Sequence, residues 1–190
     1  MINKQEFKDI GKELKKFEEE REKLIQQSRE IITLSKQIIY SIHREDYKKA
    51  DTLSKLIKVK VKSLPSNSYD INMDVVAKQE YVEAIAFLEF INSNKIPTRK
   101  ELNVEIEPYL SGLCDLTGEL VRKAVNSAIK KDVKEVMKIR EFIDEFYGEM
   151  LMFDFRNGDM RKKFDSIKWN LKKVEDIILE VKISNGRLTS

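Results

Sequence analysis

Four carboxylates stand at helical spacing in two short stretches, Gln79-Glu80-Tyr81-Val82-Glu83-Ala84 and Asp115-Leu116-Thr117-Gly118-Glu119-Leu120. Positions three or four apart share one face of an α-helix. Glu80 with Glu83, and Asp115 with Glu119, would each send two like charges the same way, which is repulsive unless a cation compensates. If the two helices pack together, four carboxylates converge. An all-oxygen set of that kind suits Mg2+ or Mn2+, with water and a substrate phosphate completing the shell. Spacing alone leaves a bland alternative open. Charged helices produce such pairs by accident, with Arg122 pairing Glu119 and with Glu80 and Glu83 reaching solvent or a lysine. A ferritin-like di-metal bundle is disfavoured, because it needs two Glu-x-x-His motifs. The single histidine, His43, has Asp46 and not glutamate three residues away, and neither acidic pair contains an imidazole.

The neighbours of the pairs sharpen the reading. Val76, Glu80, Glu83, Phe87 and Phe90 fall on one line, so both glutamates interrupt an apolar stripe, a costly placement without compensation. Ser111, Asp115, Glu119, Arg122 and Asn126 make a polar line beside the apolar flank Leu110, Leu113, Leu120 and Ala124. A polar stripe on such a helix predicts a lined cavity or groove.

The elements that must hold these residues are helical throughout. Apolar residues recur in steps of three and four from Phe7 through Ile10, Leu14, Phe17, Leu24, Ile31, Ile38 and Ile42, with Ile25, Ile32 and Ile39 as a second stripe. This predicts one long N-terminal helix, roughly 55–60 Å from end to end at 1.5 Å per residue. Its first thirty residues carry eight basic and eight acidic side chains, a solvated face. A helix this long outruns one small core, so part of it is expected to pack on another subunit. A second helix is expected from about Glu45, burying Tyr47, Ala50, Leu53, Ile57, Val61 and Leu64. Leu64-Pro65-Ser66-Asn67-Ser68 breaks it. A third runs from near Tyr69 to Asn94. Thr98 caps a short helix with Glu101 completing a capping box, and Pro108 suits the first turn of the next, to about Lys130. Asp132 caps another, and Asn157-Gly158-Asp159 precedes a last helix that Asn185-Gly186 ends as a C-cap. No stretch alternates with period two for long. The fold class is all-α, with about six to seven helices in a single domain, 1–190.

Composition excludes several function classes. The chain is 41% hydrophobic and 36% charged, with six Gly and three Pro, which is neither disordered nor all-β. One cysteine and one histidine make neither an internal disulfide nor a zinc site. No signal segment or apolar run near eighteen residues is present, so a soluble, cytoplasmic protein without membrane contact is expected. The net charge of +3 is too small to argue for nucleic acid by itself.

Several blocks then match a known family in order. Ser28-Arg29-Glu30-Ile31-Ile32-Thr33, with Ser35-Lys36 and His43-Arg44, resembles the first helix of the translin family. Gln79 to Ala84 resembles its third-helix motif. Tyr109-Leu110-Ser111-Gly112-Leu113-Cys114 running into Asp115–Leu120, then Arg122 and Asn126-Ser127, resembles its most distinctive block, and Lys172-Lys173-Val174-Glu175 its final helix. Order and spacing hold from about residue 20 to 184. The resemblance implies a translin-like bundle of about seven helices that assembles as an octameric shell around nucleic acid. The family has two branches, translin and the translin-associated factor X (TRAX), the latter a Mg2+-dependent endoribonuclease. Its catalytic carboxylates lie in the motifs matched by Glu80, Glu83, Asp115 and Glu119, so the resemblance implies a catalytic, metal-holding role for these four. Translin proper lacks the complete acidic set. The chain keeps all four and looks TRAX-like, with Mg2+ or Mn2+ as cofactor. The alternative is a non-catalytic, translin-like protein that binds single-stranded DNA or RNA. Two departures stand out. The long insertion before the Asp115 block is missing, and Ala128-Ile129-Lys130-Lys131-Asp132 replaces the family's glycine-containing turn. With no partner chain visible, the expected assembly is a homo-octamer.

Residues 43–63 hold seven basic side chains, including Arg44, Lys48, Lys55, Lys58 and Lys62, against Glu45, Asp46 and Asp51, a net of +4. With Arg122, these are the candidates for tracking a sugar–phosphate backbone without reading bases; a solvated helix face is the alternative. His43 is expected to be packed or capping at a helix end. Tyr40, Tyr47, Tyr81 and Phe87 sit at core spacing, which argues against base stacking, and Cys114 reads as a small buried hydrophobe.

Overall fold

The computed structural model describes residues 2–65 and 72–187, and its regular elements are all α-helices. The long first helix is present as α1 (Lys4–His43), started by Asn3, whose side chain accepts from the backbone N–H of Gln5 and Glu6. Leu24, Ile31, Ile38 and Ile42 are fully buried along its seam, while Phe7, Ile10 and Leu14 at its N-terminal end are exposed. The seam therefore joins the core only over the second half of the helix.

α1 stops where Glu45 takes a left-handed φ of 61° and the N–H groups of Glu45 and Asp46 return to the carbonyls of Ile42 and Ser41. The second helix consequently begins later than its periodicity suggested. It runs as α2 (Tyr47–Lys62), capped by Asp46, which accepts from the Lys49 N–H. Tyr47 is exposed, correcting its expected burial, because it lies in the first turn of α2, beside the turn. α3 (Met73–Ser93) follows. Part of the expected Leu64–Ser68 break and the expected start at Tyr69 lie outside the described residues. α4 (Arg99–Leu102) carries the anticipated Thr98/Glu101 capping box. α5 (Ile106–Ile129) and α6 (Val133–Met150) follow, the latter capped by Asp132. The turn between them uses Lys131 at φ 61°; a non-glycine residue there carries a strain of about 1 kcal/mol. α7 (Asp159–Arg187) continues through Asn185-Gly186, so those residues do not end it.

α3 is the central element, lying between α1 and α5, while α7 covers α5 and α6, and α2 packs on α1. Ile31, Ile38 and Ile42 from α1 meet a core that includes Ile85 and Phe87 from α3, Leu116 and Leu120 from α5, Ile139 and Ile143 from α6, and Ile167 and Val174 from α7. Burying each large side chain stabilises the fold by about 1.5–3 kcal/mol. Gly112 sets the approach of α5 to α3. A Cβ there would stand 2.6 Å from the Gln79 carbonyl oxygen and 2.7 Å from the Val82 Cβ. That contact lies one turn before Asp115 on one helix and beside Glu80 on the other, so the glycine brings the two acidic pairs together.

Candidate metal and nucleic-acid site

The two pairs face one another across α3 and α5. Glu80, Glu83 and Glu119 line a pocket of about 330 Å³ together with Lys36, Ile39 and Tyr40 from α1 and Arg122 from α5. Asp115 stands beside this pocket and not on its wall, yet its charge is felt by both glutamates of α3. Glu83 is buried, at 9% exposure. Burial, then the charges of Asp115, Glu80 and Glu119, push its carboxyl up to about 8. Glu80 is raised as well, by burial first; Lys36 opposes that shift and Asp115 adds to it. The bland expectation that both glutamates simply reach solvent or pair with a lysine therefore fails for Glu83. Its neighbours within the apolar stripe, Phe87 and Phe90, are buried as the spacing indicated, whereas Val76 is exposed.

The second pair is held by donors from other helices. Lys163 Nζ from α7 donates to both oxygens of Asp115, at 2.6 and 2.5 Å. Gln79 Nε2 adds a further bond to Asp115 Oδ2 at 2.6 Å. Glu119 Oε2 lies 2.5 Å from His43 Nε2 and 3.8 Å from Arg122 Nη1. The Arg122–Glu119 contact is thus peripheral, and the histidine is the closer partner. His43 is buried against Phe87, ring centroids 5.2 Å apart, and its Nδ1 is buried with no hydrogen-bond partner among the described residues. The Glu119 carboxylate can only accept, so Nε2 carries a proton and donates to it.

Lys163, Gln79 and His43 are partners that sequence reasoning did not place in the site. Gln79 and His43 fall within quoted motifs, but Lys163 is one lysine among many on α7 and gave no signal. Asn170 Nδ2 donates to Thr117 Oγ1 at 2.8 Å, a second polar tie holding α7 to the site helix. Cys114 is buried, and its thiol is pushed up to about 12 chiefly by burial, as expected of a packing residue.

The basic candidates divide. Arg122 is on the pocket wall. Arg44 stands over Tyr40, its guanidinium 5.6 Å from the ring centroid. Lys48 and Lys55 are exposed, and Lys55 is paired with Asp51. Lys58 and Lys62 line a different cavity of about 420 Å³ with Tyr81, Ile85 and Glu89. The α2 lysines therefore do not border the carboxylate pocket. Tyr81 and Phe87 are core residues as expected, but Tyr40 is 55% exposed. Its place beside the pocket corrects the reading of it as core.

Whether this donor set fits a divalent ion can be tested on its chemistry. Among the described residues, no group of three or more histidine, cysteine, aspartate or glutamate side chains is placed to grip one ion. The donors are nevertheless all hard oxygens, they interact electrostatically across the two helices, and Glu83 is raised by burial and by the other three carboxylates. The set fits a hard cation in composition and charge, with side-chain rotation needed to close on it.

A model described as the Translin family matches residues 19–185 of this chain. The chain belongs to the Translin family. This translin-family protein is 32% identical over 101 residues to translin of Gallus gallus, a match covering 53% of the chain and 43% of that relative. It is 25% identical to translin-associated protein X of Rattus norvegicus, covering 96% of the chain and 79% of the relative. It therefore spans less than half the length of the chicken translin that it matches. Its fold is similar to that of apo-NeC3PO, with TM-score 0.87, 30% identity and coverage of 95% and 98%. AfC3PO in a complex with duplex RNA gives TM-score 0.83, 26% identity and coverage of 94% and 97%. Among the described residues, no helix is long and apolar enough to cross a membrane.

Proposed function

We propose that this translin-family chain is a TRAX-type, Mg2+- or Mn2+-dependent endoribonuclease that binds RNA and self-associates. The carrying observation is the pocket formed where Glu80 and Glu83 meet Glu119, with Asp115 alongside and Glu83 raised to about 8 by burial and then by the neighbouring carboxylates. Supporting it are the relative named translin-associated protein X and the likeness to AfC3PO, which is known in complex with duplex RNA.

In this reading Glu80, Glu83, Asp115 and Glu119 hold the ion. A bound divalent ion supplies a water of lowered pKa as nucleophile and charge stabilisation for the leaving oxygen. The chain's own residues do the rest. His43 and Lys163 orient Glu119 and Asp115. Lys36 and Arg122, exposed at the pocket, offset phosphate charge. Arg44, Lys48, Lys55, Lys58 and Lys62 add sequence-independent attraction to the backbone. Self-association, with a homo-octamer as the expected size, would cover the exposed Phe7, Ile10 and Leu14 of α1.

A second reading, a non-catalytic protein binding single-stranded DNA or RNA, is favoured by one observation. Asp115 is already satisfied by Lys163 and Gln79, as a purely structural carboxylate would be. The two readings separate on incubating purified protein with a short labelled RNA in Mg2+, Mn2+ or EDTA, beside Glu83→Ala and Asp115→Ala. The nuclease reading expects metal-dependent cleavage lost in both variants. Cleavage that survives EDTA or both substitutions contradicts it, and binding without cleavage supports the second reading. Light scattering coupled to size exclusion reports the assembly.

A further inference from the structure

The carboxylate pocket has one aromatic wall that neither reading above uses. We propose that Tyr40 and Arg44 form a stacking subsite for an unpaired nucleobase of single-stranded RNA, with Lys36 and Arg122 receiving the adjoining phosphate. This rests on the nucleic-acid reading of the site and specifies the substrate's strandedness there.

Tyr40 shares the pocket wall with Glu80, Glu83 and Glu119. Its α1 neighbours Ile38, Ile39 and Ile42 are buried, whereas Tyr40 itself is 55% exposed. The ring therefore contributes little to the core and presents its surface at the mouth of the pocket. Arg44 holds it there. The Arg44 Nη1 donates to Tyr40 Oη at 3.3 Å, and the guanidinium lies over the ring at 5.6 Å. Bases stack on both kinds of group, and the guanidinium over one face of the ring leaves the other as the stacking face.

Charge decides what can occupy the surroundings. The pocket's carboxylates repel a phosphate, so its approach requires cations on the wall. Lys36 lies one turn before Tyr40 on α1, is exposed, and makes no hydrogen bond or salt bridge among the described residues. Arg122 is 59% exposed at its side chain, and among the described residues its one ion pair is the 3.8 Å contact with Glu119. These two cations line the same pocket as the uncharged Tyr40 ring, so a base on the ring would have cations at hand for its phosphate. A base stacked inside a continuous duplex has no free face to offer, so the subsite selects unpaired nucleotides over paired ones.

The test is fluorescence anisotropy of a labelled single-stranded oligoribonucleotide in EDTA, where binding is read without cleavage, beside the same sequence as a blunt duplex. Tyr40→Ala is expected to weaken single-strand binding about tenfold, the usual scale of a lost stacking contact. Duplex binding should change by less than about twofold, and Tyr40→Phe should restore single-strand binding, because the ring and not the hydroxyl carries stacking. Lys36→Gln should lower the slope of log affinity against log salt by about one phosphate contact. Unchanged single-strand binding in Tyr40→Ala overturns the subsite, as does an equal loss for both RNAs. If the unsubstituted protein binds neither RNA, the nucleic-acid reading itself fails and the subsite with it. Because Tyr40 is exposed, loss of folding in Tyr40→Ala is not expected, and retention of the circular-dichroism spectrum verifies this.

Discussion

The two acidic pairs are chemically alike and physically opposite. On α5, Asp115 and Glu119 are each met by a donor from another helix, Lys163 of α7 and His43 of α1. On α3, Glu80 and Glu83 accept no hydrogen bond and sit in no salt bridge among the described residues, and Glu83 is the more deeply buried of the two. Both acids of the α5 pair are met by donors, whereas on α3 burial and the neighbouring carboxylates favour the protonated form of Glu83. Protonation spares the fold the cost of an unpaired buried charge on α3, and a bound cation would take the place of that proton. The imbalance shows where an added cation would act. It would be drawn to the α3 side and completed by carboxylates that α1 and α7 already orient.

The strongest way to break this comparison is to remove the ionisable carboxyl from the α3 side. Glu83→Gln should lower Mg2+-dependent RNA cleavage by at least about 100-fold, read as an initial rate on labelled RNA. Undiminished cleavage would show that the α3 pair is not in the machinery. The same residue predicts a pH effect in EDTA. In the folded chain Glu83 keeps its proton to about 8, against an ordinary value of 4.5. Between these values the unfolded chain ionises the group and the folded chain does not, so stability from this group is full below about pH 4.5 and is lost as pH rises to 8. The slope is at most about 1.4 kcal/mol per pH unit. Chemical denaturation across pH 5–8 should show the fall, and Glu83→Gln should flatten it.

Separating the helices tests whether the pairs depend on each other. Gly112→Ala places a methyl against the Gln79 carbonyl and Val82 and should destabilise the protein by about 1–3 kcal/mol, measured by urea denaturation. The smallest effect contrasts one cation from each side. Lys163→Gln should cost about 1 kcal/mol in EDTA, as a partly exposed charge-assisted contact is lost. Lys36→Gln should stay within about 0.5 kcal/mol, because Lys36 makes no direct bond. Equal costs would remove the asymmetry.

Much of the fold was readable because its signals are local. The third helix with its end near Asn94, the Thr98/Glu101 box and the Asp132 cap announce themselves through periodicity and capping chemistry, and α5 is delimited within a few residues. The errors have physical causes. Tyr47 and Tyr40 are aromatic and lie at helical spacing, but periodicity reports a face and not whether another element covers it. Asn185-Gly186 has the residues of a C-cap, yet glycine within a helix costs only about 1 kcal/mol, and α7 continues past it. The site was half legible. Carboxylates on facing helices follow from spacing, whereas Lys163, 48 residues from Asp115, is brought in by the packing of α7 on α5. His43 illustrates the same limit, since its 76-residue separation from Glu119 is closed only by the fold.

The central claim is that the two pairs act as one divalent-ion site. Mn2+ binding followed by electron paramagnetic resonance tests it most directly, on the unsubstituted protein, Glu83→Gln, Asp115→Asn and the double variant. One shared site predicts that either single substitution weakens binding at least about tenfold, and that the double variant loses less than the sum of the two effects. No Mn2+ binding by the unsubstituted protein, or binding that is indifferent to one of the two pairs, would contradict it.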